Sequence, residues 1–243
     1  IGCDALLLEE TDKGARQESF NTPPAISAMQ ITSDLGNVVG STLTCSANGY
    51  DADNDTVTVS YAWYINSISS SEVHNGESLE ILAAGTPSSG QVVGNINDDV
   101  FCLATATDVN GASDTKQVSA TIVNTNPVIN SVSISPSPAY NDSVLACTVV
   151  ASDTDAQSLN ITYSWTNGIN TLGTNQPLAL SAQTAVPGDT LRCTATVTDS
   201  SGGSDTRYGE LILTNRNPVV TTPTLTYSSP HLGSTLTCNA TGS

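Results

Sequence analysis

Hydrophobic and polar positions alternate along this chain in short runs. Leu43, Cys45 and Ala47 interleave with Thr42, Thr44 and Ser46, and Val59, Tyr61 and Trp63 interleave with Thr58, Ser60 and Ala62. Val100, Cys102, Ala104 and Ala106 make a third set. Further along, Leu145, Cys147 and Val149, then Ile161, Tyr163 and Trp165, then Leu191, Cys193, Ala195 and Val197 repeat the pattern. A spacing of two puts each set on one face of a strand. Clusters of Gly, Asn, Asp and Pro separate the runs, as short strands joined by turns require. The single stretch of good helix formers, Ala5 to Glu10, is too short to stand alone. The pattern predicts an all-β chain.

The runs are copies of one another. Cys102, Asp108, Asp114, Asn126 and Pro127 recur 91 positions later as Cys193, Asp199, Asp205, Asn217 and Pro218. Cys45 and Trp63 recur as Cys147 and Trp165. Ser41-Thr42-Leu43-Thr44-Cys45 returns as Ser234-Thr235-Leu236-Thr237-Cys238. The first copy is longer between its Trp and its second Cys, which reads as a loop or hairpin insertion. Asn21-Thr22-Pro23-Pro24, Asn124-Thr125-Asn126-Pro127 and Asn215-Arg216-Asn217-Pro218 each precede a copy, and proline makes such connectors semi-rigid. The expected organisation is an N-terminal tether over 1–20, a first repeat over 21–124, a second over 125–215 and the start of a third over 216–243. The third copy stops at Ser243, just after its first Cys, so a continuation that supplies a partner for Cys238 is expected.

In both complete copies a Trp follows the first Cys by 18 residues and a second Cys comes later, the arrangement of an immunoglobulin-type core. The expected disulfides are Cys45–Cys102 and Cys147–Cys193, each worth ~4 kcal/mol on chain-entropy grounds. Paired structural disulfides belong to an oxidising compartment. A metal site would need clustered Cys and His, and no C-x-x-C occurs.

The two complete copies resemble the Ig-like repeats strung together in large surface proteins of environmental bacteria, such as myxobacteria and their relatives. The resemblance is carried by the opening Asn-x-Pro, the Leu-x-Cys strand, Asp-Ala-Asp-Asn-Asp at 51–55, Tyr-x-Trp, and Cys-x-Ala-Thr-Ala-Thr-Asp at 102–108. PKD and cadherin-like modules share the opening motif and the acidic loops. Where antibody domains place a Tyr two residues before the second Cys, this chain has Val100 and Leu191. The resemblance implies tandem immunoglobulin-like β-sandwiches, each with an inter-sheet disulfide, in a non-catalytic surface stalk, spacer or adhesin of an extracellular or cell-surface bacterial protein.

Charge narrows the partners. Twenty-three acidic residues stand against six Lys and Arg, a formal net charge of -17. Nucleic acid and anionic membranes are disfavoured because both need a basic face. Asp51, Asp53 and Asp55 alternate after the first Cys strand, and Asp153 and Asp155 hold the matching place in the second copy. In a sandwich of this type Asp108, Asn110 and Asp114 approach the first set. Asp199 and Asp205, with Asn124 and Asn126, approach the second. Oxygens gathered at a junction suggest calcium as a candidate cofactor, while turn formation by Asp and Asn is the competing account. The run at 51–55 is not an EF-hand, since Thr56 and Ala62 stand where Gly and Glu would be required. Ile1-Gly2-Cys3 matches the end of a lipobox, so lipidation of Cys3 is a candidate membrane anchor.

No catalytic constellation emerges. His74 and His231 lie in different copies, and His74 precedes an Asn75-Gly76 pair that signals a hairpin turn. A rival to the stalk is a carbohydrate- or protein-binding module with loops or aromatics against a ligand. Aromatics make up 5% of the chain, both Trp are assigned to cores, and Tyr64 and Tyr140 are the candidates for exposed contact.

Overall fold

A computed structural model describes residues 20–226 and 231–242, and every regular element among them is a β-strand. Cys3 and the stretch Ala5 to Glu10 lie outside the described residues. The chain divides into two compact units, Ile1–Val123 and Asn124–Ser243.

In the first unit, β1 (Ala25–Ser33), β2 (Thr42–Tyr50), β5 (Ser78–Leu82) and β6 (Gln91–Val93) form one sheet in that order. The facing sheet runs β4 (His74–Asn75), β3 (Thr58–Ile65), β7 (Asp99–Thr107), β8 (Ser113–Thr121). The alternation places side chains as expected: Leu43, Cys45, Trp63, Val100, Cys102, Ala104 and Ala106 are buried, and Leu79, Ile81 and Ile122 complete the core. The Cys45–Cys102 disulfide joins β2 to β7 across the two sheets. Trp63 pairs with Cys102 in the ladder and is fully buried, so its indole packs in the same layer as the bridge. Its Nε1 donates to the Gly76 carbonyl at 2.8 Å, as a buried indole N–H needs.

The insertion between Trp63 and Cys102 contains β6, which pairs in parallel with β5 and has no counterpart in the second unit. The expected hairpin turn at Asn75-Gly76 is not one. Those residues carry the chain from β4 in one sheet to β5 in the other. Gly76, at a φ of 132°, takes a backbone conformation that an L side chain rarely adopts.

The second unit repeats the plan. One sheet is β9 (Val128–Ser135), β10 (Val144–Ser152) and β13 (Leu178–Ala179), in the order β13-β10-β9. The other is β12 (Thr171–Gly173), β11 (Asn160–Thr166), β14 (Thr190–Thr198) and β15 (Ser204–Ile212). Cys147–Cys193 bridges β10 and β14 beside the buried Trp165, whose Nε1 donates to the Asn175 carbonyl at 3.0 Å. Toward the C-terminus, β16 (Thr224–Thr226) and β17 (Thr237–Asn239) pair as a two-stranded ladder that carries the exposed free thiol of Cys238. The protein is therefore built from tandem immunoglobulin-like sandwiches, each complete copy stapled between its sheets.

Candidate functional site at the connector of each sandwich

The acids singled out in the sequence meet the connector that enters their own sandwich. In the first copy, β2 and β7 run to the same end of the sandwich, so the loops that follow them lie side by side. The Asn21 side-chain amide donates to Asp108 Oδ2 at 2.8 Å. Asp108 Oδ1 accepts the backbone N–H of Asn110 at 2.8 Å and of Ala112 at 2.9 Å. Asp108 is 6% exposed, and three N–H donors satisfy its carboxylate. The Asn21 amide, followed by these backbone groups, holds Asp108 below the usual aspartate range.

Neighbouring residues close the arrangement. The Thr22 backbone N–H donates to Asp53 Oδ2 at 2.6 Å, and the Asp53 N–H donates to Asp51 Oδ1 at 2.7 Å. The Asn110 amide reaches both Asn21 Oδ1 and Asp55 Oδ2 at 2.8 Å. Asp114 Oδ2 accepts the Ile26 N–H at 3.1 Å, where the connector becomes β1. Lys116, on the strand after that loop, donates to the Ile26 carbonyl at 2.6 Å.

The second copy reproduces the bonds made by Asp51, Asp53, Asp108 and Asp114. Asn124 donates to Asp199 Oδ2 at 3.0 Å, and the Ser201 and Gly203 N–H groups donate to Asp199 Oδ1, each at 2.8 Å. The Thr125 N–H and hydroxyl both donate to Asp155 Oδ2, at 2.6 and 2.9 Å. Asp155 N–H donates to Asp153 Oδ1, and Ile129 N–H donates to Asp205 Oδ2 at 2.8 Å. Asp199 is likewise lowered, chiefly by the Asn124 amide.

The copies also differ. Gln157 stands where Asp55 stood, and its amide links Asn124 Oδ1 and Ser201 Oγ, each at 2.9 Å. Asn126 replaces Pro23, facing Gly203 instead of Ala112; a Cβ on Gly203 would lie 2.6 Å from Asn126 Oδ1 and would meet Asp199 Oδ2 as well. Asn54, with a φ of 63°, is matched by Ala156 at 56°. Asn tolerates this left-handed conformation better than Ala does.

Calcium takes six to eight oxygens. Both oxygens of Asp108 and of Asp199 already accept N–H groups, as does one oxygen each of Asp51, Asp53, Asp153 and Asp155. Buried carboxylate oxygens without a hydrogen bond are Asp51 Oδ2 in the first copy, and Asp153 Oδ2 and Asp155 Oδ1 in the second. Among the described residues no three Asp, Glu, His or Cys side chains are gathered closely enough to hold a metal ion. As folded, the acidic loops receive the N–H groups of the connector. Burial, with the charges of Asp155 and Asp199 added, pushes Asp153 above the usual aspartate range.

Asn21 and Thr22 had drawn no site assignment from sequence, although their recurrence as Asn124 and Thr125 was the available signal. Neither histidine joins the acidic loops: His74 lies on β4, and His231 in a local turn. His74 Nδ1 accepts the Gly90 N–H at 3.1 Å, and His231 lies 3.0 Å from the Ser234 hydroxyl in a turn closed by Ser234 N–H on the His231 carbonyl.

The far end of each copy is tied down as well. Val123 N–H donates to the Asn37 carbonyl at 2.7 Å, and Thr214 N–H makes the matching bond to Ala139 at 2.8 Å. Past the second copy, the Arg216 guanidinium grips both oxygens of Asp142 at 2.7 Å and lies 4.3 Å over the Tyr140 ring.

No family model matches the chain, and no curated protein matches it. Among solved structures it is similar to three N-terminal domains of the bacteriophage RB49 highly immunogenic outer capsid protein, Hoc, at 16% identity and a TM-score of 0.30, over 90% of this chain and 69% of that one. Fibronectin(III)-like modules of Clostridium thermocellum CbhA give 15% identity and a TM-score of 0.26, over 77% of this chain and 94% of theirs. Extracellular cadherin domains 3–6 of protocadherin gamma B2 give 14% and 0.30, over 84% and 54%. Likenesses at this level carry no information about function.

Proposed function

We propose that this chain is a non-catalytic spacer region of an extracellular, surface-attached protein. One observation carries the reading. Each complete copy holds the connector that enters it by the same bond, Asn21 on Asp108 in the first and Asn124 on Asp199 in the second, and prolines restrict the connector backbone further. The disulfides support an oxidising, extracellular setting. An excess of carboxylates on weakly charged β-surfaces favours repulsion between neighbouring molecules over association.

Small-angle scattering of the 243-residue chain, beside a glycan array, tests this. A spacer requires a monomeric, elongated particle and no saturable glycan binding; a compact or self-associated particle, or saturable binding, would overturn the reading.

A further inference from the structure

Strand β3 of the first copy borders a groove. Strand β3 lies between β7 and β4, but β4 pairs with it at Ala62 and Trp63 alone. On that side no strand among the described residues pairs with Thr58 to Tyr61. The Tyr61 carbonyl accepts the Gly76 N–H at 3.1 Å and the Trp63 carbonyl accepts the Val73 N–H at 2.9 Å, so odd-numbered residues of β3 aim their main-chain groups toward this edge. By the alternation of a strand, the N–H and C=O of Val59 and the N–H of Tyr61 face the open side.

Along this edge runs a groove of about 720 Å³, lined by Ser60, Tyr64, Leu103, Glu72, Asn75 and Glu77 among others. Tyr64 and Ala62 stand beside Phe101 and Leu103 in the ladder and, by alternation with the buried Trp63 and Cys102, share the outer face. The volume is that of a ligand site, and walls that set Tyr64 and Leu103 beside Glu72 and Glu77 select for cations that carry hydrocarbon.

The short edge strand is common to both copies, since β12 pairs with β11 at Trp165 and Thr166 alone, but the side chains around it are not. The ladder matches Tyr64, Phe101 and Leu103 to Thr166, Arg192 and Thr194 in the second copy. The indole bonds of Trp63 and Trp165 match Gly76 to Asn175, so Glu72 and Glu77 correspond to Thr171 and Gln176. The second copy thus lacks the aromatic pair and both acids, and presents an Arg192 held by Glu210 at 2.7 Å.

We infer that the first copy captures an extended basic segment of a partner protein, added as a strand to the open edge of β3. Val59 would exchange two main-chain hydrogen bonds with it, and alternate Lys or Arg side chains would lie over Tyr64 and against Glu72 and Glu77. Charge selects this occupant over a second copy of the chain. The net charge is -17, and Lys116 is the one Lys or Arg among the described residues of the first unit, bonded away at Ile26. This inference stands independently of the spacer reading.

Nitrogen-15 NMR of the full chain titrated with a short alternating Lys-Thr peptide, at about 0.15 M salt, tests it, with an alternating Glu-Thr peptide as control. The Lys-Thr peptide is expected to shift the amides of Thr58 to Ala62 and slow hydrogen exchange at Val59 and Tyr61. Glu72→Gln/Glu77→Gln is expected to weaken binding roughly tenfold, and Tyr64→Thr to weaken it without altering the melting of the domain. Shifts centred on the loops of Asp51 and Asp153, binding that the variants leave unchanged, or no binding would each overturn the assignment.

Discussion

Asn21 donates its side-chain amide to Asp108, 87 positions away in sequence, and so ties the first described residues of the chain to the turn that follows the second cysteine strand. Asn124 and Asp199 repeat the bond. A buried carboxylate that loses a donor keeps its desolvation cost and loses its compensation. Asn21→Ala is therefore expected to lower the melting midpoint of the first sandwich and Asn124→Ala that of the second, each by roughly 5 °C. Calorimetry of the single variants, with Asn48→Ala as an exposed control, checks both. A fall no larger than the control's would mean that water replaces the amide at no cost.

The same bonds set a pH dependence. Asp108 and Asp199 are held below the ordinary aspartate value of 3.8 by the Asn amides and then by backbone N–H groups. Their contribution is fully present above that value and is lost as pH falls through the lower folded value, because the unfolded chain then binds more protons. Asp142 adds to this through Arg216. Urea midpoints measured from neutral pH downward should hold until pH approaches 4 and then drop. Asn21→Ala/Asn124→Ala should flatten that drop, and an unaltered profile would place its origin elsewhere.

Asp153 works in the opposite sense. Its folded value is raised, first by burial and then by Asp155 and Asp199, so its ionised form opposes folding at neutral pH. Asp153→Asn keeps an oxygen for the Asp155 N–H and removes the charge. It is expected to raise the midpoint of the second sandwich at pH 7, and calcium or EDTA is expected to leave the wild-type midpoint in place. If calcium instead raises the wild-type midpoint and Asp153→Asn abolishes the rise, the loop is a cation seat.

Ala156 stands at a φ of 56° where the first copy has Asn54. An alanine in this region carries a strain of about 1 kcal/mol. Ala156→Asn, which copies the first repeat, should recover most of it, seen as a raised urea midpoint with an unchanged denaturant slope. A neutral or lower midpoint would show that the loop relaxes around alanine.

What could be read from sequence followed what a side chain encodes. Leu43, Cys45 and Trp63 declare their burial by spacing, and each Cys-Trp-Cys set is matched by a disulfide beside a buried indole. The acidic loops were legible as a cluster but not as a receptor. Counting oxygens at Asp51, Asp53 and Asp55 points to a cation. Their partners here include the main-chain N–H groups of Thr22 and Asp53, which no residue type announces. Asn75-Gly76 misled for a related reason. The pair permits a sharp change of direction without specifying which strands it joins, and here they lie in different sheets. The open edge of β3 was invisible because it follows from the brevity of β4.

Each disulfide also divides its sandwich mechanically. Tension applied to the two ends of a copy passes through the bridge, and the chain enclosed by it carries no load. Cys45 and Cys102 are 57 positions apart, and Cys147 and Cys193 are 46 apart. Even with both sandwiches pulled open, about 190 Å and about 160 Å of backbone would stay looped out of the line of force. Reduction of the bridges would release that hidden length, so the reach of an overstretched chain is set by the redox state of its surroundings.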